Sequence, residues 1–198
     1  PTTPTQDSDG VKENISALIV PHAGYVYSGI VAASAYNQID AKAEYENVFI
    51  IGSSHKTSFS GASIYSAGNY NMPLGEVQVN TFLAKKLIDE NDFFHYYRDA
   101  HMFEHSIEVQ IPFLQYHLQQ DFKIVPIIIG SQDLETPQKL ASALLPYFTE
   151  KNLFVISSDF SHYPSYEDAQ NVDSLTLKGI LKGNSSDFIS ALVKNEQK

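Results

Sequence analysis

The chain has 198 residues, 43% of them hydrophobic and 18% charged, a composition typical of one globular domain with a sizeable core. Its formal net charge is −10 and it has no basic patch, which argues against nucleic acid as a partner. It has no cysteine and no apolar run long enough to cross a bilayer, which argues against disulfides, thiolate ligands and membrane insertion. We expect a cytoplasmic protein with a polar N-terminal linker, residues 1–14, and a single domain over residues 15–198.

Beyond this linker the sequence alternates between strand and helix patterns. In chain order it predicts a strand over 17–20, a helix over 28–39, strands over 47–52 and 62–66, helices over 79–90 and 105–119, a strand over 123–129, a helix over 136–149, a strand over 153–158, and helices over 166–182 and 185–194. Ser28 and Thr136 are the expected helix caps, and Pro126 indicates an edge strand or a bulge. Strands separated by helices predict an α/β fold with a parallel or mixed sheet and helices on both faces.

A histidine follows three of the predicted strands at a short distance. His22 follows the first strand, His55 the second and His162 the last. In open α/β sheets the carboxyl ends of parallel strands line one crevice, and ligands bind there. Three imidazoles delivered to this edge predict a metal site or an acid/base site.

The segments around His22 and His55 are rich in small residues. The first, PHAGYVYSG at 21–29, has the glycine spacing of a phosphate-binding loop, but Ile30 follows where that loop needs a lysine. The second, GSSH at 52–55, offers hydroxyls that can orient a ligating imidazole, and it lacks the G-x-S-x-G elbow of a serine nucleophile. Both histidines are therefore candidate metal ligands, the alternative for each being a simple hydrogen bond within a turn.

Asp159 and His162 stand close together after the last strand, in SSDFSHY at 157–163. A carboxylate beside a neutral histidine fixes its tautomer and raises its pKa, which is how a general acid/base is built. The alternative is that Asp159 caps the following helix and that His162 is incidental.

The segment 101–105 reads HMFEH and matches the H-x-x-E-H pattern of zinc peptidases. On a single helix, His101 and His105 would bind zinc with Glu104 as the general base. The preceding residues lack a helical apolar stripe, however, so we expect His105 to open the helix over 105–119 and His101 to lie in a loop. Glu104 and His105 would then line the same crevice as the strand-end histidines.

Four segments together resemble the Memo family, whose bacterial and archaeal members are often called AmmeMemoRadiSam system protein B. They are PHAGYVYSG at 21–29, GSSH at 52–55, EHSIEVQIPFLQ at 104–115 and SSDFSHY at 157–163, and their order and spacing agree with the family. The resemblance implies a three-layer α/β/α sandwich similar to class III extradiol ring-cleavage dioxygenases. In those enzymes two histidines and a carboxylate hold non-haem Fe(II), and a further histidine acts as acid/base.

By this resemblance, His22 and His55 correspond to the metal-binding histidines, and His162, with Asp159 beside it, to the acid/base histidine. His105 would be a further catalytic residue on the substrate side of the pocket. Memo proteins usually supply a third ligand, a cysteine, from a C-terminal segment. This chain has no cysteine, so we expect the domain to continue beyond its last residue, with Asp159 or water as the local candidates for the third ligand. Fe(II) is the expected metal, because two histidines and one oxygen ligand leave open positions, and zinc and copper are the alternatives.

Three functions are open at this point. The first is a metal-dependent oxidoreductase with a dioxygenase-like pocket for a small molecule or peptide, and the resemblance also implies association with radical SAM system proteins. The second is a binding or scaffold protein that retains the pocket without its chemistry. The third is a zinc metallohydrolase built on His101 and His105.

Overall fold

A computed structural model of the chain describes residues 14–130, 133, 135–186 and 188–189. The expected linker lies outside these residues except for residue 14, and the expected helix over 185–194 lies partly outside them. Contacts divide the chain into two compact units, one ending at Ser158 and the other beginning at Asp159. The single domain expected over 15–198 stays a prediction.

The first unit contains both strands and helices. Its strands are β1 (Ala17–Val20), β2 (Asn47–Ser53), β3 (Ala62–Ile64), β4 (Tyr70–Met72), β5 (Gly75–Val79), β6 (Phe94–His95), β7 (Lys123–Ile129) and β8 (Asn152–Ser157). Its helices are α1 (Tyr25–Tyr36), α2 (Thr81–Glu90), α3 (Arg98–Met102), α4 (Ile111–His117) and α5 (Glu135–Leu144), with 3-10 turns at Glu108–Gln110 and Leu145–Tyr147. The sequence pattern misses β4, β5, β6 and α3.

The eight strands form one mixed sheet. The main path runs β1-β8-β2-β7-β3-β6, while β5 pairs with β4 and with the start of β7. β1, β8, β2 and β7 are parallel neighbours, whereas β3 runs antiparallel to β7. The carboxyl ends of β1, β8 and β2 therefore lie side by side at one edge of the sheet, and the segments that follow β1 and β2 start there.

Helices cover both faces of this sheet. α1 and α4 bury Tyr36 and Leu114 in the core on one face, and α2 and α5 bury Leu87 and Leu140 in the core on the other. The central strand β2 contributes alternate side chains to the two cores, as a near-continuous apolar run does in a buried parallel strand. The predicted α/β fold, with helices on both sides of a mixed sheet, is confirmed.

The prediction that Pro126 marks an edge strand or a bulge is wrong. β7 lies inside the sheet and pairs with β2 along its whole length. On its other side the Pro126 carbonyl accepts a hydrogen bond from the Tyr65 amide at 3.0 Å, and a proline nitrogen cannot donate one in return. β3 ends just before Tyr65, so the missing donor falls where the pairing between β3 and β7 stops.

Two predicted helix caps are also wrong. α1 begins before Ser28, whose hydroxyl lies in the first turn and donates to the Ala23 carbonyl at 2.8 Å. The Asp133 carboxylate accepts from the amides of Glu135 and Thr136 at 2.9 and 2.7 Å, so Asp133 rather than Thr136 caps α5. A carboxylate near the first amides also suits the positive end of a helix dipole.

The second unit contains α6 (Tyr166–Leu181), close to the predicted helix over 166–182. Ser165 caps it, because its hydroxyl accepts from the Asp168 amide at 3.2 Å. Among the residues that the structure describes, no helix combines the length and the apolar character needed to cross a bilayer.

Candidate metal site

Three histidine side chains of the first unit lie together at the carboxyl edge of the sheet. His22 follows β1, His55 follows β2, and His105 precedes the 3-10 turn that leads into α4. The ring centroids are 5.1 Å apart for His22 and His55, 5.5 Å for His22 and His105, and 4.7 Å for His55 and His105. One ligand nitrogen from each ring lies within 4.8 Å of the others. The three residues form a group that can hold a metal ion.

Two backbone carbonyls determine the protonation pattern around His22. The side-chain nitrogen of Gln110 lies 2.9 Å from the Pro21 carbonyl and 2.9 Å from the Ser157 hydroxyl, and donates to both. The Ser157 hydroxyl gives its only proton to the Ser106 carbonyl, 2.6 Å away. Its remaining capacity is as an acceptor, so Nδ1 of His22, at 3.0 Å, must carry a proton and donate it. The lone pair of His22 is therefore on Nε2.

This network continues from the sheet edge into the core. Tyr36 of α1 donates its hydroxyl to Oε1 of Gln110 at 3.0 Å, which fixes the orientation of the amide. Gln110 and Ser157 are buried, so their polar groups must be satisfied within the protein. Sequence reasoning missed Gln110 and Tyr36. One signal was present: Gln110 interrupts the apolar stripe of Ile107 and Leu114 at helical spacing, and a buried polar residue in such a stripe needs a partner.

His55 is held by Glu104. The carboxylate accepts from the His55 backbone amide at 2.6 Å and lies 2.8 Å from Nδ1 of the ring. Burial by itself raises the pKa of the Glu104 carboxyl, but hydrogen bonds from the amides of His55 and Ser106 and from the His55 ring outweigh it and lower the pKa to about 2. An ionised carboxylate only accepts, so His55 carries its proton on Nδ1 and its lone pair on Nε2.

His105 completes the group from a different part of the chain. Its Nδ1 lies 3.3 Å from the same Glu104 carboxylate, so its Nε2 is the nitrogen turned away from that carboxylate. The His105 side chain is 44% exposed and that of His55 27%, whereas His22 is 2% exposed. The group is thus closed to solvent at His22 and open to solvent at His105. A site that admits a ligand needs such an open side.

The structure contradicts the arrangement that the zinc metallohydrolase requires. α3 ends at Met102, so His101 and His105 do not share a helical turn. His101 lies within α3 rather than in the expected loop, and its Nε2 contacts the buried Ser63 hydroxyl at 3.0 Å. Glu104 is occupied by hydrogen bonds to His55 and to neighbouring amides, and its low pKa makes it a poor base. The predicted helix over 105–119 is likewise shorter, since α4 spans only Ile111–His117 after the 3-10 turn.

Asp159 and His162 both belong to the second unit. Nδ1 of His162 lies 3.1 Å from the Phe160 carbonyl, and it must donate because a carbonyl only accepts. Phe160 and Tyr163 have φ angles of 62° and 60°, in the left-handed region that bulky residues rarely adopt. His162 thus lies between two strained residues and has its lone pair on Nε2.

Comparisons with known proteins agree with the family resemblance and with the fold. The family described as Memo-like protein matches residues 2–198. A MEMO1 family protein of Sulfurisphaera tokodaii is 39% identical over 185 residues, which cover 91% of this chain and 64% of that relative. A MEMO1 family protein of Methanobrevibacter smithii is 44% identical over 167 residues, which cover 82% and 58%. The chain thus spans about 60% of the length of these relatives.

A solved structure supports the architecture at the level of the fold alone. The uncharacterized protein JW3007 from Escherichia coli K12 superposes with a TM-score of 0.58 at 13% sequence identity, covering 82% of this chain and 71% of that one. Its α/β fold is of the same kind as the mixed sheet and covering helices of the first unit. With a family match over nearly the whole sequence and relatives near 40% identity, this chain belongs to the Memo-like protein family.

Proposed function

We propose that this chain binds one divalent metal ion through His22, His55 and His105, and that the site serves metal-dependent oxidoreductase chemistry on a small organic molecule or peptide. Three imidazole nitrogens lie within 4.8 Å of one another at the carboxyl edge of the sheet, and this observation supports the proposal. That edge is where ligands bind in open α/β folds. The sequence predicted two of the ligands, and His105 supplies a third where the family resemblance implies a cysteine.

The donor set agrees with a metal of the first transition row. Imidazole nitrogen suits iron, zinc, copper and nickel better than it suits magnesium or calcium. We propose Fe(II) as the resident ion, with zinc and copper as alternatives, because the family resemblance implies non-haem iron. A bound ion would polarise a substrate at its open positions, while the chain's own residues hold His22 and His55 in one tautomer and leave the His105 side accessible.

The proposal assigns the acid/base role to His162, with Asp159 beside it. The hydrogen bond from Nδ1 of His162 to the Phe160 carbonyl leaves Nε2 able to accept a proton, as a general base requires. The left-handed conformations of Phe160 and Tyr163 support this role, because such strain clusters at functional sites. A cytoplasmic location and association with radical SAM system proteins belong to the same proposal.

Elemental analysis of the purified protein tests the metal site. The protein is loaded anaerobically with Fe(II), desalted, and compared with His22→Ala and His105→Ala, with His95→Ala as the matched control because His95 is exposed on β6. We expect about one ion per chain in the wild type and in the control, and loss of the ion in both other variants. Wild-type protein that stays metal-free with Fe(II), zinc and copper would refute the proposal and favour a scaffold that retains only the pocket.

A further inference from the structure

We propose that Glu104 is the positioning residue of this metal site: one carboxylate that fixes two of the three ligands, His55 and His105, so that each presents Nε2. The inference rests on the proposed function, because it concerns the same three histidines. It gives Glu104 a role different from the general base of a zinc peptidase and from a metal-ligating carboxylate.

The hydrogen bonds of Glu104 hold its carboxylate against the segments that carry His55 and His105. Oε2 accepts from the His55 amide at 2.6 Å, and Oε1 lies 2.8 Å from the His55 ring. Oε1 also accepts from the amides of His105 and Ser106, both at 2.9 Å. Of these four donors, three bind Oε1 and one binds Oε2, so Oε1 has no lone-pair site left while Oε2 has one. Turning an oxygen of Glu104 toward a metal would break several of these bonds within a buried environment, where unsatisfied donors are costly.

The same contacts join two distant segments of the chain. His55 belongs to the loop that follows β2, and His105 to the segment between α3 and α4. Glu104 accepts from the backbone of both segments and binds the His55 ring, while Nδ1 of the His105 ring lies 3.3 Å from it. Loss of this carboxylate therefore releases the backbone of both ligand-bearing segments and the tautomer of His55, while His22 stays held by Ser157.

Neither glutamine nor aspartate reproduces the arrangement. Both oxygens of Glu104 accept from N–H groups, so either orientation of a glutamine amide places its NH₂ group against a donor. Aspartate keeps the charge but is one methylene shorter, so it cannot reach both segments. Glu108 offers a matched control, since it is an exposed carboxylate on the adjacent 3-10 turn.

Zinc titration with a competing chelator tests the inference on wild type, Glu104→Gln, Glu104→Asp and Glu108→Gln. We expect a 10–100-fold loss of affinity in Glu104→Gln, a smaller loss in Glu104→Asp, and no change in the control. Circular dichroism checks that each variant is folded. If Glu104→Gln does not fold, the zinc affinity of Glu104→Asp tests the inference instead. Affinity within threefold of wild type in a folded Glu104 variant overturns the inference.

Nitrogen-15 NMR of the histidine rings in metal-free protein separates this inference from the proposed function. We expect His55 to be a single tautomer with its proton on Nδ1 in the wild type, and a mixture in Glu104→Gln. If the wild type binds none of Fe(II), zinc and copper, the proposed function fails, and the tautomer measurement still decides the role of Glu104. An unchanged His55 tautomer in Glu104→Gln overturns the inference.

Discussion

Substitution of Gly52 by alanine probes how firmly the ligand-bearing segment rests on the sheet. A Cβ atom at Gly52 would lie 2.5 Å from the Ser106 hydroxyl and 2.9 Å from the Ser106 Cβ, with Cδ1 of Ile107 at 3.3 Å. Ordinary carbon–carbon contacts are about 3.5–4.0 Å, so Ser106 would have to move by at least about half an ångström. Gly52 is therefore a point of close approach between β2 and the segment that contains His105.

Ser106 cannot move without breaking bonds. Its amide donates to Glu104 at 2.9 Å, its carbonyl accepts from Ser157 at 2.6 Å, and its hydroxyl donates to the Ser53 carbonyl at 3.2 Å. Overpacking of a tight core site costs about 1–3 kcal/mol, and loss of one hydrogen bond about 1 kcal/mol. We expect Gly52→Ala to lower the free energy of unfolding by about 1–3 kcal/mol, which corresponds to a fall of about 2–12 °C in Tm for a domain of this size.

Thermal unfolding of metal-free protein, followed by circular dichroism, measures this effect. Gly29→Ala is the matched control, because Gly29 lies within α1 and its nearest contact would be an ordinary 3.5 Å. Alanine is favoured over glycine there by about 0.5–1 kcal/mol, so the control should be slightly more stable than wild type. We also expect weaker zinc binding by Gly52→Ala, since Ser106 adjoins His105. An unchanged or higher Tm for Gly52→Ala would refute the reasoning that Ser106 is fixed.

Three further predictions concern buried polar groups. The pKa of Glu104 is lowered to about 2 from 4.5, so the stability it confers is present above about pH 4.5 and is lost as the pH falls toward 2. The Tm difference between wild type and Glu104→Gln should narrow across that window, and a difference that stays constant would contradict this. Burial lowers the pKa of His101 to about 4 from 6.5. Between these pH values the unfolded chain binds a proton that the folded chain does not, so the free energy of unfolding falls as the pH is lowered from 6.5 to 4. An NMR titration of the His101 ring should have its midpoint near 4, and a midpoint near 6.5 would contradict this. Tyr36→Phe removes the hydroxyl that donates to Gln110. We expect urea unfolding to show a free energy of unfolding lower by about 1–3 kcal/mol. An unchanged urea midpoint would contradict this and would mean that water replaces the donor.

The main strands are predictable from the sequence almost to the residue. The patterns over 17–20 and 123–129 match β1 and β7, and that over 47–52 matches β2 within one residue. Strands buried on both faces read as continuous apolar runs, and this signal is local. The order of the strands, and the position of Pro126 inside the sheet, depend instead on pairing between segments far apart in the chain.

The candidate site was likewise predictable only in part. His22 and His55 were predictable because each follows a recognisable strand, and strand ends converge at one edge of a parallel sheet. The sequence placed His105 at the same crevice as a catalytic residue of the pocket, but its place in one group with His22 and His55 was not predictable, because it depends on how distant segments pack. The role of Glu104 was equally hidden, since its main partner His55 is 49 positions away in the chain.

The sequence by itself determined the residue types at the site, the strands that end there and the family to which the chain belongs. Only the tertiary structure decided which imidazoles share one group and which tautomers His22 and His55 adopt. The physical reason is that the segment from Glu104 to Ser106 docks on β2 and β8 through hydrogen bonds to His55, Ser53 and Ser157, partners 49 to 53 positions distant. Such bonds depend on the register of the folded sheet, and they leave no periodic pattern in the chain.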